Sequence, residues 1–515
     1  MLKVESYRKG IVLSTVFNVI NKGLVFCNSL IIAFYFGAQL KMDIYFYAYN
    51  TLVILSAFIT SLNSSVLIPE SMRLRAQESG RQAMFFLNFF LYAYALITLL
   101  GCLLFFINPV GAFHAVSDFP RDSLQQQARI LYLSVPLIFL MPIINLLTDI
   151  MTSYKFFSIP MIAGIINGIF SIIFIVLFHG LLDVSSLLVG LLLSYTLNFV
   201  LLVTLMKKKL NWNFSFHRLK IEKRIWKNIA FAQAGNITSS LSAYAPLYLL
   251  SGFGNGIITS LNFAQQISSL PTTLITNQFS AVAGIKFNES YAGSDFGKLN
   301  NTFLSTADFL MFILFPVAGI FFLFPSQIVS VLLEHGAFGK QGVAYTSLFL
   351  QYLGLLLPML VINTLFARLF MASHKIMESF WYQVCFNILL IATLYITIHR
   401  YGFAAYPITL VCVHILNILC CYFLEKRYFG IIRYGQVLKK MLLLLLMNLA
   451  VGAGIYFFIF YSHIQSGFVS LTVGASLYLS LIFVIGFKSK INDTFNDFVG
   501  EFWRKSINYG RIKNR

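Results

Sequence analysis

The chain has 515 residues, of which 58% are hydrophobic and 11% charged, with a formal net charge of +19. An ordinary soluble domain carries about 25% charged residues. A soluble enzyme, a disordered chain and a disulfide scaffold are therefore excluded, and a mean hydropathy of +0.79 marks a polytopic helical membrane protein.

The basic start leads into an apolar run that is longer than a signal-peptide core and lacks a small-residue cleavage site, so it is read as a retained first helix. A membrane helix needs about 20 mostly apolar residues. Fourteen segments meet that need: 10–36, 44–69, 84–108, 128–151, 157–179, 184–206, 228–251, 257–285, 302–324, 343–371, 377–399, 403–424, 438–462 and 465–487. The runs are continuous, without the alternation of a barrel strand. Charge tests the count. With both termini inside, 30 of the 37 Lys and Arg residues fall on cytoplasmic pieces and five on outside loops, as the positive-inside rule requires. The positive charge thus reports topology and attraction to anionic lipid heads. Spread over many loops, it gives no nucleic-acid face.

The long basic loop at 207–227 divides the first twelve spans into six and six. The expected organisation is a lobe at 1–206, the linker at 207–227, a second lobe at 228–424, a helix pair at 425–487 and a basic cytoplasmic tail at 488–515. Transporters are often built from repeated bundles with the substrate site between them. Phe36-Gly37 closes the first span and Phe253-Gly254 closes the seventh, 217 residues later. An aromatic-Ala pair follows each, Tyr47-Ala48 and Phe263-Ala264.

Spans two, seven and eight are rich in Ser, Thr, Asn and Gln: Ser56, Thr60, Ser61 and Asn63; Gln233, Asn236 and Ser239; Asn262, Gln265 and Gln266. Two readings are open. These side chains bond helix to helix, or spans one, two, seven and eight line a wet central cavity; their clustering at the start of each half favours the cavity. Among the ionisable residues within spans, four bear most on function. Asp149, Asp308 and Arg368 sit near cytoplasmic ends and can reach interfacial water. Lys22 lies midway along span one, where insertion scales place a cost of about 2.5–3.5 kcal/mol. A water-filled cavity or an anionic partner such as a diphosphate would offset that cost. The six cysteines fall in apolar runs without metal-ligand spacing and read as small buried hydrophobes. No metal site or cofactor is expected, and no nucleotide loop, zinc motif or nucleophile elbow is present.

Phe36-Gly37-Ala38, followed by Asp43 and an aromatic run, resembles the Phe-Gly-Ala…Asp-Ala-Phe-Phe segment of the MurJ/MviN family, lipid II flippases of the MOP superfamily. The segment from Leu332 to Phe338, with Gly336 at its turn, resembles that family's Leu-Phe-x-Arg-Gly-x-Phe. Asn387 and Asn417 stand where the family tends to place Asn in helices eleven and twelve. The resemblance implies an all-α, MOP-type transporter with about fourteen helices in two six-helix lobes plus a C-terminal pair. It would move an undecaprenyl-diphosphate-linked saccharide across the bacterial inner membrane by alternating access. In that family the last two helices form a groove for the lipid tail; spans thirteen and fourteen, with Gly452, Gly454, Gly467 and Gly474, take that place here.

The family lines its cavity with arginines. Local alignment puts Lys22 on one of them and Asn28, Ser56 and Gln266 on others. The expected substrate-binding residues are Lys22, Asn28, Ser56, Asn262 and Gln266. Asn387 and Asn417 are expected as ion-binding or structural polar groups, and Asp43 as a structural residue capping the start of span two. The coupling ion or membrane potential stays open. A monomer with both termini cytoplasmic is expected. No bond is broken, so the chain is expected to be a transporter and not an enzyme. The alternatives are a flippase for O-antigen, capsule or exopolysaccharide repeat units, and multidrug efflux of the MATE type.

Overall fold

The computed structural model describes residues 7–217, 221–461 and 466–489. The basic tail expected at 488–515 lies outside the described residues from 490 onward, as do 1–6 and, in the linker, Arg218 and Lys220. No strand occurs among the described residues. The helices are α1 (Tyr7–Phe36), α2 (Leu40–Leu62), α3 (Ile68–Gln77), α4 (Gly80–Ile107), α5 (Pro109–Ala115), α6 (Arg121–Gln126), α7 (Ala128–Ser134), α8 (Leu137–Ser153), α9 (Ser158–Leu182) and α10 (Ser185–Leu210). They continue as α11 (Lys223–Ser251), α12 (Ile257–Pro271), α13 (Asn277–Ala292), α14 (Phe296–Leu323), α15 (Pro325–Leu333), α16 (Lys340–Ala372), α17 (Ile376–Tyr401), α18 (Ala405–Leu424), α19 (Tyr434–Tyr461) and α20 (Gly467–Lys488).

All fourteen expected spans are helical over most of their described residues. Among the described residues, twelve helical runs are long and apolar enough to cross a membrane. The two outside that set are α11 and the run from α12 to α13. Their length suffices, 29 residues for α11, but Gln, Asn, Ser and Thr lower their hydropathy. A multi-pass membrane protein results, and the two helical runs outside that set are consecutive in the chain.

The internal repeat has local structural counterparts. Gly37 and Gly254 both adopt positive φ, 62° and 59°. The short helices α5 and α15 each begin on a proline after a long span. Lys155 and His374, and then Asp183 and Gly402, turn the chain through positive φ at matching connections. Each pair is separated by nearly the interval that separates the two Phe-Gly pairs. The second span of each half also carries a π-helical turn, Asn63–Leu67 and Thr272–Thr276; such turns in long helices are frequent at functional sites.

The described helices gather into two compact units. Among the described residues, one falls within Met1–Asn262, His335–Gly342 and Gln383–Tyr395, and the other within Phe263–Glu334, Val343–Tyr382 and Ile396–Arg515. In the first, α1 packs on α9. The contact is made by small residues: a Cβ on Gly164 would lie 2.7 Å from Asn21 Nδ2, and one on Gly168 would lie 3.2 Å from Leu24 Cβ. Lipid tails are as apolar as Leu, so close backbone approach drives helix association there more than water exclusion does. The segment 211–217 is pinned along α4. Trp212 Nε1 donates to Asn88 Oδ1 at 2.8 Å, Asn88 Nδ2 donates to the Asn213 carbonyl at 2.7 Å, and Tyr92 Oη donates to the Phe214 carbonyl at 2.5 Å.

In the second unit, α14 packs on α13, α19 and α20. Tyr478 of α20 lies against Gly319 and donates to Asn448 Oδ1 of α19 at 2.7 Å. Gly474 accommodates Phe324, and Gly486 accommodates Phe312. Of the glycines expected to line a groove, Gly452 and Gly474 are used for packing, whereas Gly454 and Gly467 face open space. The cysteines correct the sequence reading: Cys27, Cys385, Cys412 and Cys420 are uncovered by protein and only Cys421 is buried. On an apolar helix facing lipid, a small hydrophobe has no need of protein cover.

Candidate functional site

The α2–α11 seam runs through the first unit in three polar steps. At one end the Tyr47 and Tyr244 hydroxyls lie 2.7 Å apart, and both donate to the Val116 carbonyl. Midway, Asn236 Nδ2 donates to Ser61 Oγ at 2.8 Å, and Gln233 Nε2 donates to the Phe58 carbonyl at 3.2 Å. At the other end, where α3 continues the run of α2, the buried Glu70 carboxylate accepts from Arg224 of α11 at 3.0 and 3.1 Å and from Arg73 at 2.6 and 2.9 Å. This part of the polar set therefore bonds helix to helix, the first of the two readings left open.

Lys22 is midway along α1 and exposed from protein. Asn21, Leu24 and Asn28 face α9, against Gly164, Gly168 and Ser171. Lys22 lies off that face, and among the described residues it has no ion-pair partner. Asn28 is half-buried and accepts from Ser171 Oγ at 3.1 Å. Ser56 is buried and accepts from Asn145 Nδ2 at 3.3 Å. Asn262 and Gln266, one turn apart on α12, are both half-buried. Asn387 reaches Ser239 of α11 at 3.5 Å. Asn417 is buried in the second unit, where it accepts from Tyr382 Oη at 2.6 Å and donates to Asn363 Oδ1 at 2.7 Å. The structure thus pairs Asn28, Ser56, Asn387 and Asn417 each with a different polar neighbour.

Asp43 is the clearest correction. Its carboxylate does not cap its own helix, whose N-cap is Gln39 without a side-chain bond. It caps the start of α12 instead. Gly256 N donates to Oδ2 at 2.6 Å, and Thr259 N and Oγ1 donate to Oδ1 at 2.8 and 2.7 Å. The first donors of a helix have no partner within it, and a buried carboxylate meets them well.

The membrane carboxylates also find partners. Asp149 accepts from Asn63 Nδ2 at 2.8 Å, and Asn63 Oδ1 accepts from Tyr94 Oη at 2.9 Å. Asp308 is buried and pairs with Lys440 of α19. Arg368 is half-buried beside Gly284. Sequence reasoning missed the Asp149–Asn63–Tyr94 chain and the Glu70 cluster. An Asp and an Asn in different spans signalled the first; nothing in the sequence paired Glu70 with Arg224, 154 positions away.

These groups bind and orient; none forms an acid–base or nucleophile constellation. Among the described residues no group of three or more His, Cys, Asp or Glu is placed to hold a metal ion.

The two segments that carried the family resemblance meet in space. Ala337 N donates to the Phe34 carbonyl at 2.7 Å. Gly37 and Gly336 have φ of 62° and 64°, and a Cβ on either would overlap a backbone carbonyl, that of Ala337 or of Phe34. Only glycine combines that conformation with that approach.

The family model described as lipid II flippase MurJ matches residues 32–476. A probable lipid II flippase MurJ from Borreliella burgdorferi is 23% identical over 423 residues, covering 80% of this chain and 82% of that protein. One from Buchnera aphidicola subsp. Acyrthosiphon pisum is 24% identical over 357 residues, covering 66% and 68%. Among solved structures, a lipid II flippase MurJ in an inward closed conformation aligns with a TM-score of 0.74 at 19% identity, over 92% of this chain and 99% of that one. An inward-facing MATE multidrug transporter of the MOP superfamily aligns with a TM-score of 0.64 at 14% identity, over 84% and 99%; both are likenesses of fold. The chain belongs to the MurJ family of lipid II flippases.

Proposed function

We propose that this chain flips lipid II, an undecaprenyl-diphosphate-linked saccharide, from the inner to the outer leaflet of the bacterial inner membrane by alternating access. The family match over 32–476 carries this reading. The protein would act as a monomer, with both termini cytoplasmic, two lobes at 1–206 and 228–424 and the pair at 425–487. Lys22 would contact the diphosphate: it is a mid-helix cation with no ion pair among the described residues. Asn28, Ser56, Asn262 and Gln266 would hydrogen-bond phosphate or sugar, and Asn387 and Asn417 would steady the helices or an ion. Transport needs two states of similar energy biased by substrate, ion or voltage. One charge crossing the full field is worth about 2.3 kcal/mol per 100 mV, so Lys22 offers one route for membrane potential to act.

One observation favours a second reading. Amides and a hydroxyl cannot copy the bidentate grip of arginine on phosphate, and the neutral Asn28 and Ser56 are already engaged with Ser171 and Asn145. A less cationic cavity suits a flippase for other lipid-linked polysaccharide repeat units.

The test is complementation of bacteria depleted of their own lipid II flippase. Rescue by the wild type and not by an equally expressed Lys22→Ala protein is the expected result. A correctly inserted wild type that fails to rescue would refute lipid II as the substrate and direct the assay to an O-antigen flippase knockout.

A further inference from the structure

Three turns of the second unit enclose an open-sided cavity of about 510 Å³: the α13–α14 turn, the α16–α17 turn and the segment after α18. Its lining holds two cations, Lys375 and Arg433, and no carboxylate. Lys375 Nζ donates to the Tyr428 carbonyl and lies 5.2 Å from the Phe429 ring centroid. One of its three donors is thus used and the ammonium is held in place. Arg433 is anchored through its backbone, whose N donates to Asn300 Oδ1 at 2.8 Å. Its guanidinium is exposed and has no ion pair among the described residues. Glu425 is buried and bonds Ile432 N at 2.7 Å, outside the cavity lining.

Phe296 and Gly297, the first residues of α14, also line the cavity; the charge of that helix start is met by its own N-cap carboxylate, Asp295, which accepts from Lys298 N at 2.9 Å outside the lining. The aromatic rim of Tyr291, Phe296, Tyr428 and Phe429 suits the membrane interface, where such rings concentrate. Ile376 and Met377, directly after Lys375, are 63% and 51% exposed and offer an apolar surface beside the cations.

We propose that this cavity is a phosphate-binding site, with Lys375 and Arg433 contacting a phosphate group. The group is a phosphodiester of an anionic membrane lipid or a soluble phosphate; the cations are the same for both. Basic pockets between membrane helices hold lipid headgroups by this chemistry. The site goes beyond the flipping reading and does not depend on it, since all its residues lie in the second unit and none is a candidate for the flipped saccharide.

The experiment uses the purified full-length chain. Native mass spectrometry with added phosphatidylglycerol or phosphatidylcholine reads the lipid arm, and titration calorimetry with inorganic phosphate reads the soluble arm. Arg433→Gln removes the guanidinium and keeps the backbone anchor. Lys439→Gln removes an exposed charge outside the lining. A lost charge-assisted contact weakens binding by about tenfold or more. Preferential phosphatidylglycerol binding that falls about tenfold in Arg433→Gln and not in Lys439→Gln supports the site with a lipid occupant. The same pattern for inorganic phosphate alone supports it with a soluble one. Binding that Arg433→Gln and Lys439→Gln reduce equally, or no binding in either arm, overturns it.

Discussion

Replacing Asp43 should separate charge from shape at the start of α12. The side chain is fully buried and accepts three hydrogen bonds at 2.6, 2.8 and 2.7 Å. Hydrogen bonds to a charged group contribute about 1.5–3 kcal/mol each, and a buried donor left unpaired carries its full desolvation cost. In Asp43→Asn, the amide oxygen at the Oδ1 position keeps both Thr259 bonds, and the amide nitrogen confronts Gly256 N–H. One bond is lost, for about 2 kcal/mol. Asp43→Ala loses all three, and even with strong non-additivity the cost is about 4 kcal/mol or more. Thr259→Val removes only the hydroxyl bond, for about 1.5 kcal/mol, the low end of that range. Thermal unfolding of the detergent-solubilised protein should therefore rank wild type, Thr259→Val, Asp43→Asn and Asp43→Ala in falling order. An Asp43→Ala protein as stable as wild type would refute the capping role. An Asp43→Asn protein as damaged as the alanine variant would show that negative charge, not the count of acceptors, holds α12.

Two further substitutions probe packing and surface charge. Gly168→Leu should cost about 1–3 kcal/mol through overpacking, because the first added carbon already lies 3.2 Å from Leu24 Cβ; a Cys–Cys crosslink between α1 and α9 should form more slowly, and unchanged crosslinking would count against close α1–α9 contact. Glu70→Gln should cost no more than about 1 kcal/mol, since Arg73 and Arg224 are 33% and 51% exposed. The wild-type melting temperature should fall from low to molar salt while that of Glu70→Gln barely moves; parallel salt curves would deny the cluster any contribution.

The spans were legible because a bilayer tolerates few alternatives. A long apolar run without charge must become a helix, and loop charges check the count. That check also counts α11 and the α12–α13 run, which are helical but fall short on hydropathy. Partners were not legible. Ser61 and Asn236 are 175 positions apart, and nothing local distinguishes a serine that bonds a neighbouring helix from one that lines a cavity. Asp43 misled for a related reason. An acidic residue at a helix start reads as a cap for that helix, but its carboxylate reaches donors 213 and 216 positions later. The Gly37 and Gly336 segments were recognised separately, and only their contact explains why each needs glycine.

Lys22 is the opposite case, because its reading rested on a missing partner. Folding supplies α1 with a close-packed face against α9 and leaves the ammonium off that face, without an ion pair among the described residues. A central Lys costs about 2.5–3.5 kcal/mol on insertion scales, and no ion pair among the described residues offsets it. A residue kept for stability should destabilise the protein when removed; a residue kept for an anionic ligand should not. Lys22→Ala is therefore expected to unfold at the same temperature as wild type or higher while failing in the complementation assay. A variant that loses both stability and transport would make Lys22 a structural residue and remove the physical ground for placing a diphosphate against it.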